Sequence, residues 1–358
     1  MAGCGLSIRA PLPPATRSAP IIMKKHLSSM ALGLLVAAGI VLPTHAAELR
    51  FNNPLPETRP ETKELIRFAE DVAKHSGGAV TVKLHNGGSL GIKDADVLQV
   101  LPRGAVDMSL IWANYVSRDA PALGTVLVQG AIGSVDELKR ALPVVRQIQD
   151  MELKEWGITP VGYLAIPMLE ASVFCRDAPV KSLADLRSRK LRVWAKEQVA
   201  AFRRLGVAAQ IIGQADMYVA MKTGVVDCAV YPALYAHTVN MHEVAKYGAF
   251  LYPMPSAPYA LGMATAKWNA LPEAQRKALT QAAEETWNRT NEYSNDHARE
   301  LAAREELKKK GVNWLGDFAE ADRKQFLEAM STTWAELARE AGGRSPANRE
   351  AVLKAMGR

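Results

Sequence analysis

The sequence predicts an α/β protein of two similar lobes. The first observation is a repeat: "GAVDMSLIW" begins at Gly104 and "GVVDCAVYP" begins at Gly224, and both open on Gly-x-Val-Asp. The second is the pattern around each copy, where apolar or β-branched runs alternate with helical segments in the order β-α-β-α-β. Such alternation favours a mostly parallel sheet with right-handed crossovers. Two copies therefore predict two sheets, and the sequence contains no Gly-x-Gly-x-x-Gly or Walker-type motif that would favour a nucleotide-binding domain.

The first copy contains five predicted elements. An amphipathic helix is predicted over 61–78, because Leu65, Phe68 and Val72 fall on one face and Pro60 precedes the first turn. The β-branched, alternating residues on either side favour strands. The other elements of this copy are strands over 49–53, 79–85 and 105–112 and a short helix over 94–104.

The second copy repeats this order. Its helices end at Gly206 and Gly224, a position where a left-handed backbone is common and glycine is favoured. Its predicted elements are strands over 190–195, 207–212 and 225–231 and helices over 197–206 and 214–224.

A long helical pattern follows the second copy. The run from Pro272 to Lys310 has no internal glycine or proline, and at 1.5 Å per residue one helix of this length would reach roughly 58 Å. The sequence therefore predicts a long helix that spans both lobes and ends at Gly311. A short strand and a final amphipathic helix come next, and residues 346–358 are expected to form a loose tail.

Residues 1–47 are expected to be a leader that contains a secretory signal peptide. Met23, the expected true first residue, is followed by two lysines and then by the apolar run 30–42. This run is shorter than the ~20 residues that a membrane span requires. The small residues of "THA" suit cleavage after Ala46 or Ala47, which predicts a protein exported to the periplasm and not inserted in the membrane after processing.

Charge and cysteine content narrow the function classes. The chain has 44 Lys and Arg against 37 Asp and Glu, and four of these bases but no acid lie in the leader, so the mature protein is nearly neutral. No basic block with interleaved aromatics favours nucleic acid. Cys175 and Cys228 could form a disulfide or remain two buried thiols. No grouping has metal-ligand spacing, and neither a metal nor a cofactor is expected.

Ligands of parallel α/β sheets bind beyond the carboxyl ends of the strands. Asp107 and Asp227 of the repeat lie at the opposite, amino ends of their strands, so we expect them to have structural roles, such as accepting hydrogen bonds from loop amides. The residues predicted at or just beyond the carboxyl ends are Asn53, Trp112, Asn114, Arg192, Trp194, Tyr231 and His237.

Arg192 is the residue most indicative of a ligand. It is a single charge in the apolar strand "KLRVW", and a buried guanidinium needs a partner. A carboxylate fits its fork with two hydrogen bonds; the partner could be a ligand or an internal Asp or Glu. Trp112, Trp194 and Tyr231 could be core residues or walls of a cleft. Aromatic walls with one arginine suit an organic acid.

Five segments resemble, in order and rough spacing, the DctP-type solute-binding proteins of TRAP transporters: "SGGAVTVKLHNGGSLG", "GAVDMSL", "SLADLRSRKLRV", "YVAMKTGVVD" and "WNALPEAQRKAL". The resemblance covers about 49–340. It implies the two-lobed periplasmic binding protein fold, which closes on an organic acid and delivers it to a membrane permease with a small and a large subunit. We expect lobe 1 to comprise 48–166 and 257–292, lobe 2 to comprise 167–256 and 293–345, and the protein to be a monomer.

The resemblance places Arg192 at the family's carboxylate-binding arginine. Trp194 replaces a proline that usually follows in that strand, and Trp112 stands where a sialic-acid binder has a glutamate. Ser172, a further expected ligand contact, stands where sugar-acid binders have a second arginine. These departures predict a monocarboxylate with an aromatic, keto or branched apolar body. The alternative is a periplasmic sensing module that presents its ligand to a receptor kinase; an enzyme is not expected.

Overall fold

The computed structural model describes residues 47–358 of the sequence. The predicted leader, apart from Ala47, lies outside the described residues. No helix of the described part is both long and apolar enough to cross a membrane.

Eleven strands are present in the described residues, and they form two sheets. One sheet has the order β2-β1-β3-β10-β4 and the other the order β11-β9-β5-β8-β6-β7. The strands are β1 (Ala47–Asn52), β2 (Val80–His85), β3 (Met108–Ile111), β4 (Ile158–Leu164), β5 (Leu169–Cys175), β6 (Leu191–Val193), β7 (Ala209–Ile211), β8 (Cys228–Pro232), β9 (Tyr247–Met254), β10 (Tyr259–Ala264) and β11 (Asn313–Asp317).

The helices surround these sheets. The predicted inner face of the first helix is confirmed, since Leu65, Phe68 and Val72 are fully buried. The helices are α1 (Pro60–His75), α2 (Val97–Val100), α3 (Pro121–Gly124), α4 (Val135–Glu155), α5 (Leu183–Leu186), α6 (Lys196–Arg204), α7 (Gln214–Thr223), α8 (Ala233–Ala236), α9 (Met241–Val244), α10 (Thr265–Ala270), α11 (Glu273–Thr290), α12 (Asp296–Lys309), α13 (Glu320–Ala341) and α14 (Ser345–Met356).

The repeat forms the parallel part of each sheet. Strands β2, β1 and β3 are parallel neighbours, and β7, β6 and β8 repeat the same arrangement. The paired aspartates are structural in both copies: Asp107 accepts a hydrogen bond from the backbone N–H of Arg50 (2.8 Å), and Asp227 accepts one from that of Lys190 (2.8 Å). Each aspartate therefore ties the start of one parallel strand to its neighbour.

The chain crosses between the two sheets three times before β11. Residues 165–168 connect β4 to β5, and residues 255–258 connect β9 back to β10. Both incoming strands are antiparallel to their neighbours, β5 to β8 and β10 to β3. The third crossing joins α11, which packs on α1 and β4, to α12, which packs on α8 and β5.

The long helix is interrupted where a single helix was predicted. Residues 291–295 separate α11 from α12, although the two together still contact both sheets. The break contains Asn291, Ser294 and Asn295, whose side chains compete with the helix backbone for hydrogen bonds. The N–H of Ser294 bonds to Glu292 Oε1 at 2.8 Å, so a local side-chain interaction replaces the helical one.

The expectation of a loose tail is wrong. Residues 345–356 form α14, which packs against α4 and α13. Val352 and Met356 are buried, and Arg140 Nη2 donates to the carbonyl oxygen of Met356 (2.8 Å). A proline near its start and two apolar residues spaced by four are sufficient for one buried helical face, a signal that the polar residues around them obscured.

Cys175 and Cys228 form a disulfide, which decides between the two alternatives that the sequence left open. The two residues are directly opposite each other on the antiparallel strands β5 and β8, with their Cα atoms 4.1 Å apart. The bridge links a strand that arrives from the first sheet to the strand that ends near Tyr231. It therefore braces the part of the second sheet from which the candidate site is built.

Candidate functional site

Arg192 is a buried guanidinium without a carboxylate partner. Its side chain is 1% exposed and it forms no ion pair within the described residues. Nε donates to the carbonyl oxygen of Ile212 (2.9 Å) and Nη1 to that of Val230 (3.2 Å), so neighbouring strand ends hold the side chain in place. No hydrogen bond to the described residues uses Nη2. Burial lowers the pKa of Arg192, because the charge is removed from water.

Two aromatic rings flank this guanidinium. The Cζ atom of Arg192 lies 5.5 Å from the ring centroid of Trp194 and 6.0 Å from that of Tyr231. The hydroxyl of Tyr231 is buried and has no well-aligned hydrogen-bond partner among the described residues. Burial raises the pKa of Tyr231, so the phenol remains neutral and can donate its proton. A guanidinium nitrogen that has no hydrogen bond to the described residues and lies beside two aromatic rings suits an anionic oxygen ligand.

Trp112 and Trp194 are joined by a chain of hydrogen bonds. Trp112 Nε1 donates to Ser256 Oγ (3.0 Å), Gln129 Nε2 donates to the same oxygen (3.3 Å), and Trp194 Nε1 donates to Gln129 Oε1 (3.0 Å). The chain runs from the end of β3 through the 255–258 crossing to the end of β6. Since both indole N–H groups are satisfied, the tryptophans present only ring surface to a ligand.

Further aromatic residues extend this surface. The ring of Trp112 packs edge-on against Tyr115, with centroids 4.7 Å apart, and lies 6.4 Å from that of Tyr259. Burial raises the pKa of Tyr115 to about 12, so this phenol is neutral at ordinary pH. Tyr115 and Tyr259 were not predicted as site residues, because neither is distinguished in sequence from an ordinary core tyrosine.

Arg59, Glu61 and Tyr235 form a second buried polar group. Arg59 donates from Nε and Nη2 to the two carboxylate oxygens of Glu61 (3.0 and 2.7 Å), and the hydroxyl of Tyr235 donates to Glu61 Oε1 (2.7 Å). The guanidinium of Arg59 also lies 3.6 Å from the ring centroid of Tyr235. Although burial raises it, the pKa of Glu61 is held below its ordinary value by the charge and hydrogen bonds of Arg59. In sequence, "RPE" indicates only the start of a helix.

Asn114 connects the first sheet to helix α6. Its Nδ2 atom donates to Glu197 Oε1 (2.9 Å), while its Oδ1 atom is buried without a partner in the described residues. Glu197 is 3% exposed, and burial raises its pKa. The predicted residue Asn114 therefore lies between the first sheet and helix α6. There it donates to Glu197, a buried acid that the sequence did not indicate.

A family model settles the relationship of the chain. The model described as bacterial extracellular solute-binding protein, family 7, the DctP family, matches residues 51–341. The chain belongs to this family. The match confirms the resemblance predicted from the sequence.

Known proteins of the same kind resemble this DctP-family protein along most of its length. The C4-dicarboxylate-binding periplasmic protein DctP of Rhodobacter capsulatus is 24% identical over 329 residues, which is 87% of this chain and 92% of that one. The structure of DctP7, a Bordetella pertussis extracytoplasmic solute receptor binding pyroglutamic acid, matches with a TM-score of 0.76 at 17% identity, covering 87% of this chain and 100% of that chain.

A TRAP periplasmic solute binding protein from a Sulfitobacter species, with bound β-D-galacturonate, matches with a TM-score of 0.74 at 22% identity, again covering 87% of this chain and 100% of that chain. These likenesses show the fold, and they confirm the predicted two-lobed α/β architecture.

Two predicted site residues of this DctP-family protein support the framework. Asn53 is fully buried, and its Nδ2 atom donates to Thr62 Oγ1 and Asn86 Oδ1 (both 3.0 Å). It therefore organises the loop that leads into α1. Ser172 is fully buried on β5, directly opposite Tyr231 on β8, and its hydroxyl donates weakly to the carbonyl oxygen of Glu170 (3.4 Å).

His237 lies outside the cluster around Arg192. It is exposed at the end of α8, where partial burial and the charge of Lys310 lower its pKa. Helix α8 instead directs the neighbouring Tyr235 inward. A ligand contact of His237 in this DctP-family protein stays a prediction. Within residues 47–358, no group of three or more His, Cys, Asp and Glu side chains is placed to hold a metal ion.

Proposed function

We propose that this protein captures an organic monocarboxylate in the periplasm and delivers it to a TRAP-type membrane permease with a small and a large subunit. The observation that carries the proposal is the unpaired, buried guanidinium of Arg192. An unpaired buried charge is costly, and a carboxylate with two hydrogen bonds offsets that cost. The predicted signal peptide in 1–47 supports export.

The groups around Arg192 support a ligand with an apolar, keto or aromatic body. Trp112 and Trp194 offer ring faces because their N–H groups are already bonded. Tyr231 places its ring centroid 6.0 Å from the guanidinium carbon of Arg192. Pyroglutamate and galacturonate, which are bound by proteins of the same fold, each carry a single carboxylate, but the ring walls here favour a less polar body than that of a sugar acid.

Closure of two lobes around the ligand is the proposed mechanism. We place 48–166 and 257–292 in one moving body and 167–256 and 293–345 in the other. Trp194 and Arg192 come from the second sheet, and Trp112 comes from the first, so a ligand between them contacts both bodies. Binding shifts the protein toward the closed form by its differential affinity for that form, and the permease would recognise the closed form.

A panel of acids tests the ligand class. The processed protein is titrated with branched, aromatic and 2-oxo monocarboxylates, hexuronates, sialate and C4-dicarboxylates, and thermal shift and calorimetry are measured. We expect stabilisation by one or more of the first three groups, because a bound ligand stabilises the folded state. Stabilisation by hexuronates, sialate or C4-dicarboxylates alone would contradict the proposed specificity.

A substitution tests the role of Arg192. Arg192→Gln should weaken binding of the best monocarboxylate by about 30-fold or more, because a charged hydrogen-bonding partner of the carboxylate is lost. Arg67→Gln is the matched control, since Arg67 is exposed on α1 and pairs only with Glu64. Equal affinities of the two variants would remove Arg192 from the site.

A further inference from the structure

The aromatic cluster contains a second buried arginine, Arg59, in addition to Arg192. Both are at most 5% exposed. Tyr231 in β8 has its ring centroid 6.0 Å from the guanidinium carbon of Arg192, and Tyr235, on the helix that directly follows β8, has its ring centroid 3.6 Å from that of Arg59. The two guanidinium groups therefore border the same aromatic region.

The two arginines differ in what neutralises them. Arg192 bonds only to neutral carbonyl oxygens of the backbone. Arg59 forms a two-point pair with Glu61, which leaves that pair with no net charge. The bonds of Arg59 use Nε and Nη2, and no hydrogen bond to the described residues uses Nη1. Arg59 thus retains donors for a neutral oxygen but offers no excess positive charge to a second carboxylate.

We propose that Glu61 determines specificity by neutralising Arg59, which leaves Arg192 as the one uncompensated cation of the aromatic cluster within residues 47–358 and restricts the cleft to acids with a single carboxylate. This inference rests on the proposed function. Glu197, which is 3% exposed and accepts a hydrogen bond from Asn114, agrees with it, because burial raises the pKa of this acid. The buried cluster thus already disfavours negative charge, and a second carboxylate on the ligand would bring in more negative charge.

The hydrogen bond from Tyr235 to Glu61 can be removed without removing the Arg59–Glu61 ion pair. Tyr235 on α8 belongs to the second sheet's side and Glu61 on α1 to the first, so this hydrogen bond crosses between the two. It contributes to closure but not to the charge balance of the Arg59–Glu61 pair. Removing only the hydroxyl therefore separates an effect on closure from an effect on ligand charge.

The experiment compares two acids that differ by one carboxylate, 2-oxopentanoate and 2-oxopentanedioate, by calorimetry. Wild-type protein should bind the monoacid at least about tenfold more tightly. Glu61→Gln keeps the size of the side chain but removes its charge, and it should shift the ratio of the two affinities toward the diacid by about tenfold or more. Tyr235→Phe should weaken both acids and leave that ratio unchanged.

The double variant Arg59→Gln/Glu61→Gln removes both charges and should retain the wild-type preference for the monoacid. If Glu61→Gln does not fold, this double variant alone tests the proposal. A gain of diacid binding by the double variant would contradict the proposal. Wild-type protein that binds both acids equally, or neither, overturns the inference, as does an unchanged ratio in folded Glu61→Gln. If Arg192→Gln abolishes binding while Glu61→Gln leaves the ratio unchanged, only this inference fails and the proposed function stands.

Discussion

At the scale of single residues, Glu300 shows how a buried acid organises the backbone around the site. It is fully buried and accepts hydrogen bonds from the backbone N–H groups of Glu170 (3.0 Å) and Leu234 (2.8 Å). It thereby connects β5 to the start of α8, the helix that bears Tyr235. Burial raises the pKa of Glu300 to about 7, and the nearby charge of Glu170 adds to this, while the two backbone bonds and Arg304 oppose it.

This raised pKa predicts how stability depends on pH. The folded protein binds the proton of Glu300 more tightly than the unfolded chain does, so the free energy of unfolding should decrease as pH rises from about 4.5 to about 7. A shift of this size corresponds to about 3 kcal/mol. Urea unfolding at several pH values gives the free energy of unfolding as a function of pH. Its slope against pH should be negative in this range for wild type and smaller in magnitude for Glu300→Gln.

Glu305→Gln is the matched control for Glu300→Gln. Glu305 lies on the same helix, but it is exposed and pairs with Lys308. The control should keep the wild-type slope. A slope that is the same in all three proteins would show that Glu300 does not titrate in this range.

The two arginines show what sequence reasoning can find at this scale. Arg192 was predicted because one charge in an apolar strand is unusual and requires a partner. Arg59 was missed because it precedes a helix in which Glu61 occupies the first turn, and charges at a helix start are ordinary surface features. The burial of Arg59 depends on Tyr235, which is remote in sequence, so no local pattern could indicate it.

At the scale of elements, the contact between α11 and β4 depends on the absence of one side chain. A Cβ atom on Gly162 would lie 2.5 Å from the Cβ atom of Ala283. The helix therefore packs directly on the backbone of the strand. Because neither element can move without disturbing its other neighbours, Gly162→Ala should destabilise the protein by about 1–3 kcal/mol.

Gly133→Ala is the control for this substitution. A Cβ atom there would lie 3.7 Å from Glu137 Oε2, an ordinary contact, and stability should change by no more than about 0.5 kcal/mol. Urea unfolding compares the two variants. Equal stability of both would mean that α11 can move away from β4 without cost.

Elements were predicted where their own residues determine them. The ten elements of the repeat follow from periodicity and glycine stops, and all ten are present. The break at 291–295 was missed because it is accompanied by a contact that is remote in sequence: Asp296, which starts α12, accepts a hydrogen bond from the N–H of Met168 (2.8 Å), just before β5. Tertiary contacts thus accompany the division of the predicted long helix into α11 and α12.

At the scale of the whole molecule, hydrogen bonds connect residues on the sides of the two sheets. Three such bonds join Trp194 to Gln129, Asn114 to Glu197, and Tyr235 to Glu61. Closure should therefore make the protein more compact when ligand binds. Small-angle X-ray scattering should show a smaller radius of gyration with a saturating monocarboxylate than without it.

Arg192→Gln provides the comparison for this scattering experiment. Since the variant should not hold the carboxylate, the same concentration of acid should leave its radius of gyration unchanged. A wild-type radius that does not respond to a ligand bound by calorimetry would contradict closure as the mechanism.

The three crossings between the sheets have a consequence for biosynthesis. The first sheet lacks β10 until residue 264 has been made, and the second lacks β11 until residue 317 has been made. A nascent chain therefore completes neither half before most of the other has emerged. A fragment that ended at residue 255 would expose the bare edges of β3 and β4, so the protein cannot be dissected into two independently folding pieces by one cut.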